Sequence, residues 1–291
     1  MTSNLFSQFE SEIIASTQIP YCQIQNPPNL SLSQIKQLNP DWGWFIPAEQ
    51  AEQANFNATD DWQPTRLTFA EDTSSPRHVD GFIATHIRIV VLHQSNIEVQ
   101  EKAKNGWRYC GLAYQHGQLT SYGESAKSDR NNYRLRTRYL ILFVDQQNQL
   151  LHNVPIQIGM NAGVGAAFNT ELKEFRKEFE TVFFTQANKP QQQLSNRAHS
   201  LTIFDMQLGI YKSEGKAPYL CPRQRVTPDQ STTITRRERT VELVQQPLES
   251  MIIPKASQTG KLILNFWQQH QNFGSMYRDD VTPESESEIE F

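Results

Sequence analysis

Tyr133-Arg134-Leu135-Arg136-Thr137-Arg138-Tyr139-Leu140-Ile141-Leu142-Phe143-Val144-Asp145 reads as one long β-strand. It holds aromatic, β-branched and aliphatic residues with no Gly or Pro, and Asp145-Gln-Gln-Asn148 follows as a hairpin loop. Working outward, Leu150 to Ile158 is the returning strand. Gly106 to Tyr114 is a strand before it. Gly81 to His93 is another, with Ile83, Ile87, Ile89 and Val91 on one face and His86 and Arg88 on the other. Strand follows strand without intervening helices, so the expected class is α+β and β-rich. The expected architecture is an OB-like or related antiparallel β-barrel, with one packed helix after the main strands and a C-terminal helix.

That packed helix is predicted over Asn169 to Phe184, where Leu172, Phe175, Phe179, Val182 and Phe183 form one apolar stripe. Its charged residues are read as solvated. Further strands are expected over Leu201–Tyr211, Tyr219–Val226 and Thr240–Ile253, and a last helix over Thr259–Phe273. Residues 1–40 read as an N-terminal arm with short helices, one opened by the capping box Ser31-Leu-Ser-Gln34. Residues 41–273 read as a single β-rich core, in which Trp42-Gly-Trp44-Phe45-Ile46-Pro47 is a core-anchoring turn. Residues 274–291 read as a disordered acidic tail.

The composition excludes several function classes. The 291 residues are only 37% hydrophobic, and no apolar run approaches the ~18 residues of a membrane span. The first basic residue is Lys36, which does not suit a secretory leader. Cys22, Cys110 and Cys221 are odd in number and widely spaced, so neither a disulfide framework nor a zinc ribbon is expected and a reducing cytoplasm fits. The seven histidines form no HExxH or HxH, and no GxSxG occurs. No catalytic residue, cofactor or metal ligand is therefore assigned. Gly159-Met-Asn-Ala-Gly163-Val-Gly165-Ala-Ala-Phe168 stands between a strand and a helix, as phosphate loops do. It lacks the third glycine of a dinucleotide fingerprint and has no Gly-Lys-Ser/Thr, so close packing of helix on sheet is the expected role. A nucleotide-using enzyme built on this turn is the alternative, and a non-enzymatic phage or assembly protein is a second.

The opening stretch also carries the expected chemistry. Arg134, Arg136 and Arg138 alternate along it, so they share one face at ~6.6 Å spacing. Arg108 and Arg130 lie nearby, with Trp107, Tyr109 and Tyr114 interleaved. A cationic track beside aromatic platforms is what sequence-tolerant binding of single strands requires. The arginines are expected to face solvent and hold phosphates, and the aromatics to stack on bases. Arg223 with Arg225, and Arg236, Arg237 and Arg239, are read as an extension of that surface.

Charge is segregated. The last thirteen residues hold six acidic residues and no basic one; without them 27 basic residues face 25 acidic. Asp279, Asp280, Glu284, Glu286, Glu288, Glu290 and Phe291 resemble the acidic, aromatic-terminated tips of bacterial single-stranded DNA-binding proteins and of the analogous T7-like phage protein. That resemblance implies an OB-fold core and a tip that recruits replication and recombination proteins and competes with DNA. The ending here is Ile289-Glu290-Phe291 in place of Pro-Phe. The body, through Gln94–Gln100, Tyr133–Leu140 and Gly159–Phe168, resembles an uncharacterised family associated with cyanobacteria and their plasmids. The expected partners are single-stranded DNA or RNA and, through the tail, replication and recombination proteins. No membrane is expected, and the sequence leaves homo-oligomerisation open.

Overall fold

A computed structural model describes residues 19–26, 41–69, 77–104, 106–211, 218–229 and 241–274. The short N-terminal helices, the cluster Arg236, Arg237 and Arg239, and the tail residues Asp279 to Phe291 lie outside the described residues.

The strands run β1 (Tyr21–Gln25), β2 (Gly43–Pro47), β3 (Gln63–Phe69), β4 (Arg77–Ala84), β5 (His86–Gln94), β6 (Glu98–Ala103), β7 (Gly106–Leu112), β8 (Tyr114–Gln115), β9 (Gln118–Leu119), β10 (Tyr133–Phe143), β11 (Ile156–Asn161), β12 (Phe204–Tyr211), β13 (Tyr219–Pro228) and β14 (Glu242–Gln246). The helices are α1 (Ala48–Ala54), α2 (Ser121–Ser128), α3 (Ala162–Gln186), α4 (Asn196–His199) and α5 (Gln258–Gln269), with a 3-10 turn at Leu248–Met251. Twelve of the strands form one mixed sheet in the order β14-β13-β12-β5-β10-β11-β1-β2-β4-β3, with β6 beside β10 and β7 beside β6. The pairs β1–β11 and β13–β14 are parallel. No helix among the described residues is long and apolar enough to cross a membrane.

The β-rich expectation holds, but the sheet is open and not closed into a barrel: β14 and β3 end it at opposite sides. The physical reason lies in the apolar run of β10. Tyr139, Ile141 and Phe143 join the main core with Phe168, Leu172, Phe175 and Phe179 of α3. Leu140 and Leu142 join a second core on the other side, with Ile263 of α5 and Phe273. Strands covered on both faces read as continuous apolar runs, so the run marks a sandwiched sheet.

Several boundaries move. The predicted strand Gly81–His93 splits at Thr85; Ile83 packs with Phe45 and Leu67, while Ile87, Ile89 and Val91 enter the main core. The expected turn at Trp42–Pro47 is β2, wholly buried. Tyr21–Gln25, placed in an arm by the prolines around it, pairs with both β11 and β2 as an interior strand. The Gly-rich turn is no loop at all: β11 passes directly into α3, whose first two turns hold Gly163 and Gly165. A Cβ on Gly165 would lie 3.0 Å from the Met160 carbonyl oxygen, and Phe168 and Phe175 are buried in the main core.

The helix charges expected to be solvated are in part buried. Arg225, expected on a basic surface, donates to both Glu178 carboxylate oxygens at 2.7 and 2.8 Å and to Glu171 at 3.2 Å. This pairing ties α3 to β13 and removes Arg225 from any solvent-facing track. A guanidinium so buried is retained only with good carboxylate geometry, because losing either partner strands a charge.

Candidate nucleic-acid interface

β10 is eleven residues long and outlasts each of its neighbours. On one edge it pairs with β5 over Tyr139–Phe143 and then with β6 over Tyr133–Arg136. β5 and β6 thus stack end to end along one strand, broken at Ser95–Ile97, where the Ser95 N–H donates to Arg138 O at 2.8 Å. Beyond the break the sheet forks: β12 continues beside β5, whereas β7 pairs antiparallel with β6. The outcome is a three-stranded wing, β7-β6-β10.

Alternation assigns the two faces of the wing. One face carries Val99, Tyr133 and Leu135, which pack with Ala113, Cys110 and Ala126 of α2. The helix begins at Thr120, whose hydroxyl oxygen accepts the Gly123 N–H at 3.1 Å. Burial pushes the Cys110 thiol up to about 11, so it stays protonated near neutral pH. The other face carries Glu98, Gln100 and Lys102 of β6, opposite Arg136, Arg134 and Trp107, with Tyr109 opposite Gln100.

The three alternating arginines meet different fates. Arg138 is 3% exposed, and its Nε donates to Glu98 Oε2 at 3.0 Å. Glu98 is equally buried, so Arg138 is a structural ion pair and not the solvent-facing phosphate contact expected from the sequence. The acid comes from a neighbouring strand forty residues away in sequence. Arg136 is half-buried, with its guanidinium lying over Gly159 of β11 where no side chain would fit. Arg134 is also half-buried; its Nε donates to Gln100 Oε1 at 2.8 Å, and its guanidinium carbon sits 4.4 Å from the centre of the Trp107 ring.

The remaining predicted residues divide in the same way. Trp107 and Tyr109 are half-buried on the Arg134 face. Arg108 points to the other face and is paired with Glu101, so it does not join the platform. Arg130 is exposed in the turn before β10. Tyr114 is 48% exposed on the small β8–β9 hairpin. Sequence reasoning missed Lys102, exposed opposite Trp107, and the Glu98-Gln100-Lys102 alternation that supplies the arginines' neighbours. That period-two pattern was the available signal. Among the described residues no group of three or more His, Cys, Asp or Glu could hold a metal ion.

A family model described as a domain of unknown function (DUF5895) matches residues 16–227, a span that takes in the whole wing and most of the sheet. No curated protein and no solved structure matches the chain.

Proposed function

We propose that this chain, which belongs to that family of domains of unknown function, binds single-stranded nucleic acid, DNA in preference to RNA, on the β7-β6-β10 wing. One observation carries the reading: the Arg134 guanidinium lies 4.4 Å over the Trp107 indole on the face that also presents exposed Lys102. Unstacked bases settle on aromatic rings and on guanidinium planes, and such stacking tolerates any base. The stacked pair is a flat platform for a base. The guanidinium edge and Lys102 meet the phosphates on either side. Arg136 backs the platform from above Gly159. Arg138 and Arg225 take no part, being held by buried carboxylates.

No barrel is needed for this chemistry, only a sheet face that carries aromatic rings and cations side by side. The acidic tail, which resembles the tips of single-stranded DNA-binding proteins, is proposed to dock replication or recombination partners. The test is fluorescence anisotropy with labelled single- and double-stranded oligonucleotides. Single strands should bind more tightly. Trp107→Ala should weaken that binding by about 1–3 kcal/mol, roughly 5- to 150-fold. Equal binding of duplex, or an unchanged affinity in Trp107→Ala, refutes the reading.

A further inference from the structure

A second site lies on α3, away from the wing. A pocket of about 560 Å³ opens between that helix and the glutamine-rich segment that leads into α4. Its helical wall presents Lys173, Arg176, Lys177 and Glu180. Spacings of three and four place these side chains on one helix face, and Lys173 and Lys177 form a like-charge pair that weakens a helix. The segment is anchored from below: the Leu194 N–H donates to Glu180 Oε1 at 2.8 Å, and Gln191 Nε2 donates to Thr181 Oγ1 at 3.1 Å.

Two groups in this pocket lack what they need. Among the described residues Arg176 makes no ion pair; its Nη1 reaches only Asn196 Oδ1, at 3.5 Å. Burial holds its pKa below the ordinary guanidinium value, so an anion arriving beside it is favoured. His199 is 4% exposed, and its Nε2 lies 2.8 Å from Glu180 Oε1. Burial also lowers the His199 pKa, which leaves the ring neutral near neutral pH. The proton then sits on Nε2, facing the carboxylate, and Nδ1 is an acceptor. Nδ1 is buried and has no hydrogen-bond partner. With no exposed surface of its own, Nδ1 faces the protein and not the pocket, so it makes no contact with an occupant.

We propose that this pocket binds a small phosphate monoester, the class of nucleoside monophosphates and sugar phosphates. Three cations against the Glu180 carboxylate leave the pocket at +2 with His199 neutral. A phosphate monoester carries about −1.5 to −2 at pH 7 and offers several strong acceptor oxygens. Its phosphate sits against Arg176, Lys173 and Lys177, and the remainder of the ester lies toward Asn196 and the glutamine-rich wall. The volume falls within the range of roughly 300–1,000 Å³ usual for small-ligand sites.

Calorimetric titration of the full chain with AMP, ribose 5-phosphate, adenosine and inorganic phosphate tests this. AMP or ribose 5-phosphate should bind one per chain, and adenosine should not. Binding by both shows that the sugar phosphate suffices; binding by AMP alone shows that the base is also read. Arg176→Gln should weaken binding about 10-fold or more, as should the double change K173Q/K177Q, which alters only exposed ends and keeps the fold. The proposal is overturned if neither ester binds at millimolar concentration, if adenosine binds as well as AMP, or if the K173Q/K177Q chain binds as the original does. Oligonucleotide binding at the wing has no bearing on these outcomes.

Discussion

The two halves of β10 follow the same alternation and end in different surroundings. From Tyr139 to Phe143 both faces are buried, one under α3 and the other under α5. From Tyr133 to Arg136 one face packs on α2, and the other meets the polar row of β6 and the aromatics of β7. Arg138 stands at the junction, and it is the residue that pays for the change of environment with a buried carboxylate. Charge alternation in a strand therefore does not by itself locate a solvent-facing track. What covers each step of the strand decides whether an arginine is a structural ion or a contact.

The largest expected effect tests that junction. Arg138→Ala leaves Glu98 buried and unpaired, and should destabilise the fold by about 3–5 kcal/mol in urea unfolding. The double change Arg138→Leu with Glu98→Leu should recover most of the loss, because no charge is then stranded. Arg134→Ala, four residues earlier, gives up a stacked pair and should cost only about 0.5–1 kcal/mol. Equal costs for the two single variants would erase the distinction between the halves.

Much of this was legible beforehand. The long strand, its hairpin loop and the apolar stripe of α3 follow from periodicity, because a period read within one segment needs no knowledge of its neighbours. The alternation of Arg134 in β10 and of Trp107 and Tyr109 in β7 was legible for the same reason, although their meeting across β6 depends on strand pairing. The fates of Arg138 and Arg225 were not, since Glu98, Glu171 and Glu178 reach them only through strand pairing and helix packing. Nor was the open sheet: whether β14 meets β3 is a property of the whole chain path. Tyr21–Gln25 was lost to the prolines on either side, which mark strand ends as readily as loops.

The apolar half carries its own pH sensor. The Phe143 N–H donates to His152 Nε2 at 2.8 Å, and His152 Nδ1 lies 2.6 Å from the Val154 carbonyl oxygen. Nε2 must be unprotonated to accept, and burial pushes the ring pKa down to about 4. An unfolded histidine titrates near ~6.5, so the unfolded chain binds the extra proton first as pH falls. This contribution is present above about pH 6.5, declines toward about pH 4 and is then constant, a total of about 3 kcal/mol. His86 acts with the opposite sign: its hydrogen bond to Asp205 raises its pKa, so its contribution is present below ~6.5 and fades as pH rises through the folded value. Subtracting the urea stability of His152→Gln from that of the unaltered chain at each pH should isolate the His152 slope. A difference independent of pH between 7 and 4 would show that the ring takes up its proton alike in the folded and unfolded chain, and would overturn its assignment as a buried neutral acceptor.

Smaller effects are expected on the Trp107 face of the wing, and salt separates them from stacking. Each phosphate neutralised on a single strand adds about 0.7 to the slope of log affinity against log salt. Lys102→Ala with Arg134→Ala should flatten the slope by about 1.4, while Trp107→Ala lowers affinity with the slope unchanged. The Arg138→Leu with Glu98→Leu chain should keep the original slope. A flattened slope in that chain would return Arg138 to the phosphate contacts.

The smallest expected effect concerns the path of the chain after Phe273. Gly274 lies against the junction of β5 and β6, where a Cβ on it would be 3.7 Å from Gln94 O and 3.9 Å from Ser95 Cα. The Ser95 hydroxyl in turn accepts the Arg138 N–H at 3.0 Å. From Gly274 to Asp279 is five residues, a reach of at most about 18 Å at ~3.3–3.6 Å per residue. From Arg138 to Arg134 along the strand is about 13 Å at ~3.3 Å per residue. The first carboxylates of the acidic segment are therefore within reach of the platform, where on the proposed reading they are expected to compete with phosphates. Exposed ion pairs of this kind are worth roughly 0.5–1 kcal/mol, so deleting residues 275–291 should tighten oligonucleotide binding about two- to fivefold at low salt. The gain should vanish near 1 M salt, where the Debye length is ~3 Å. Replacing the six acids by their amides should reproduce the gain, whereas Phe291→Ala should not, because the competition is one of charge. If the deletion leaves low-salt affinity unchanged, the Trp107 face and the acidic segment do not meet, and any binding at the wing is owed to its own residues alone.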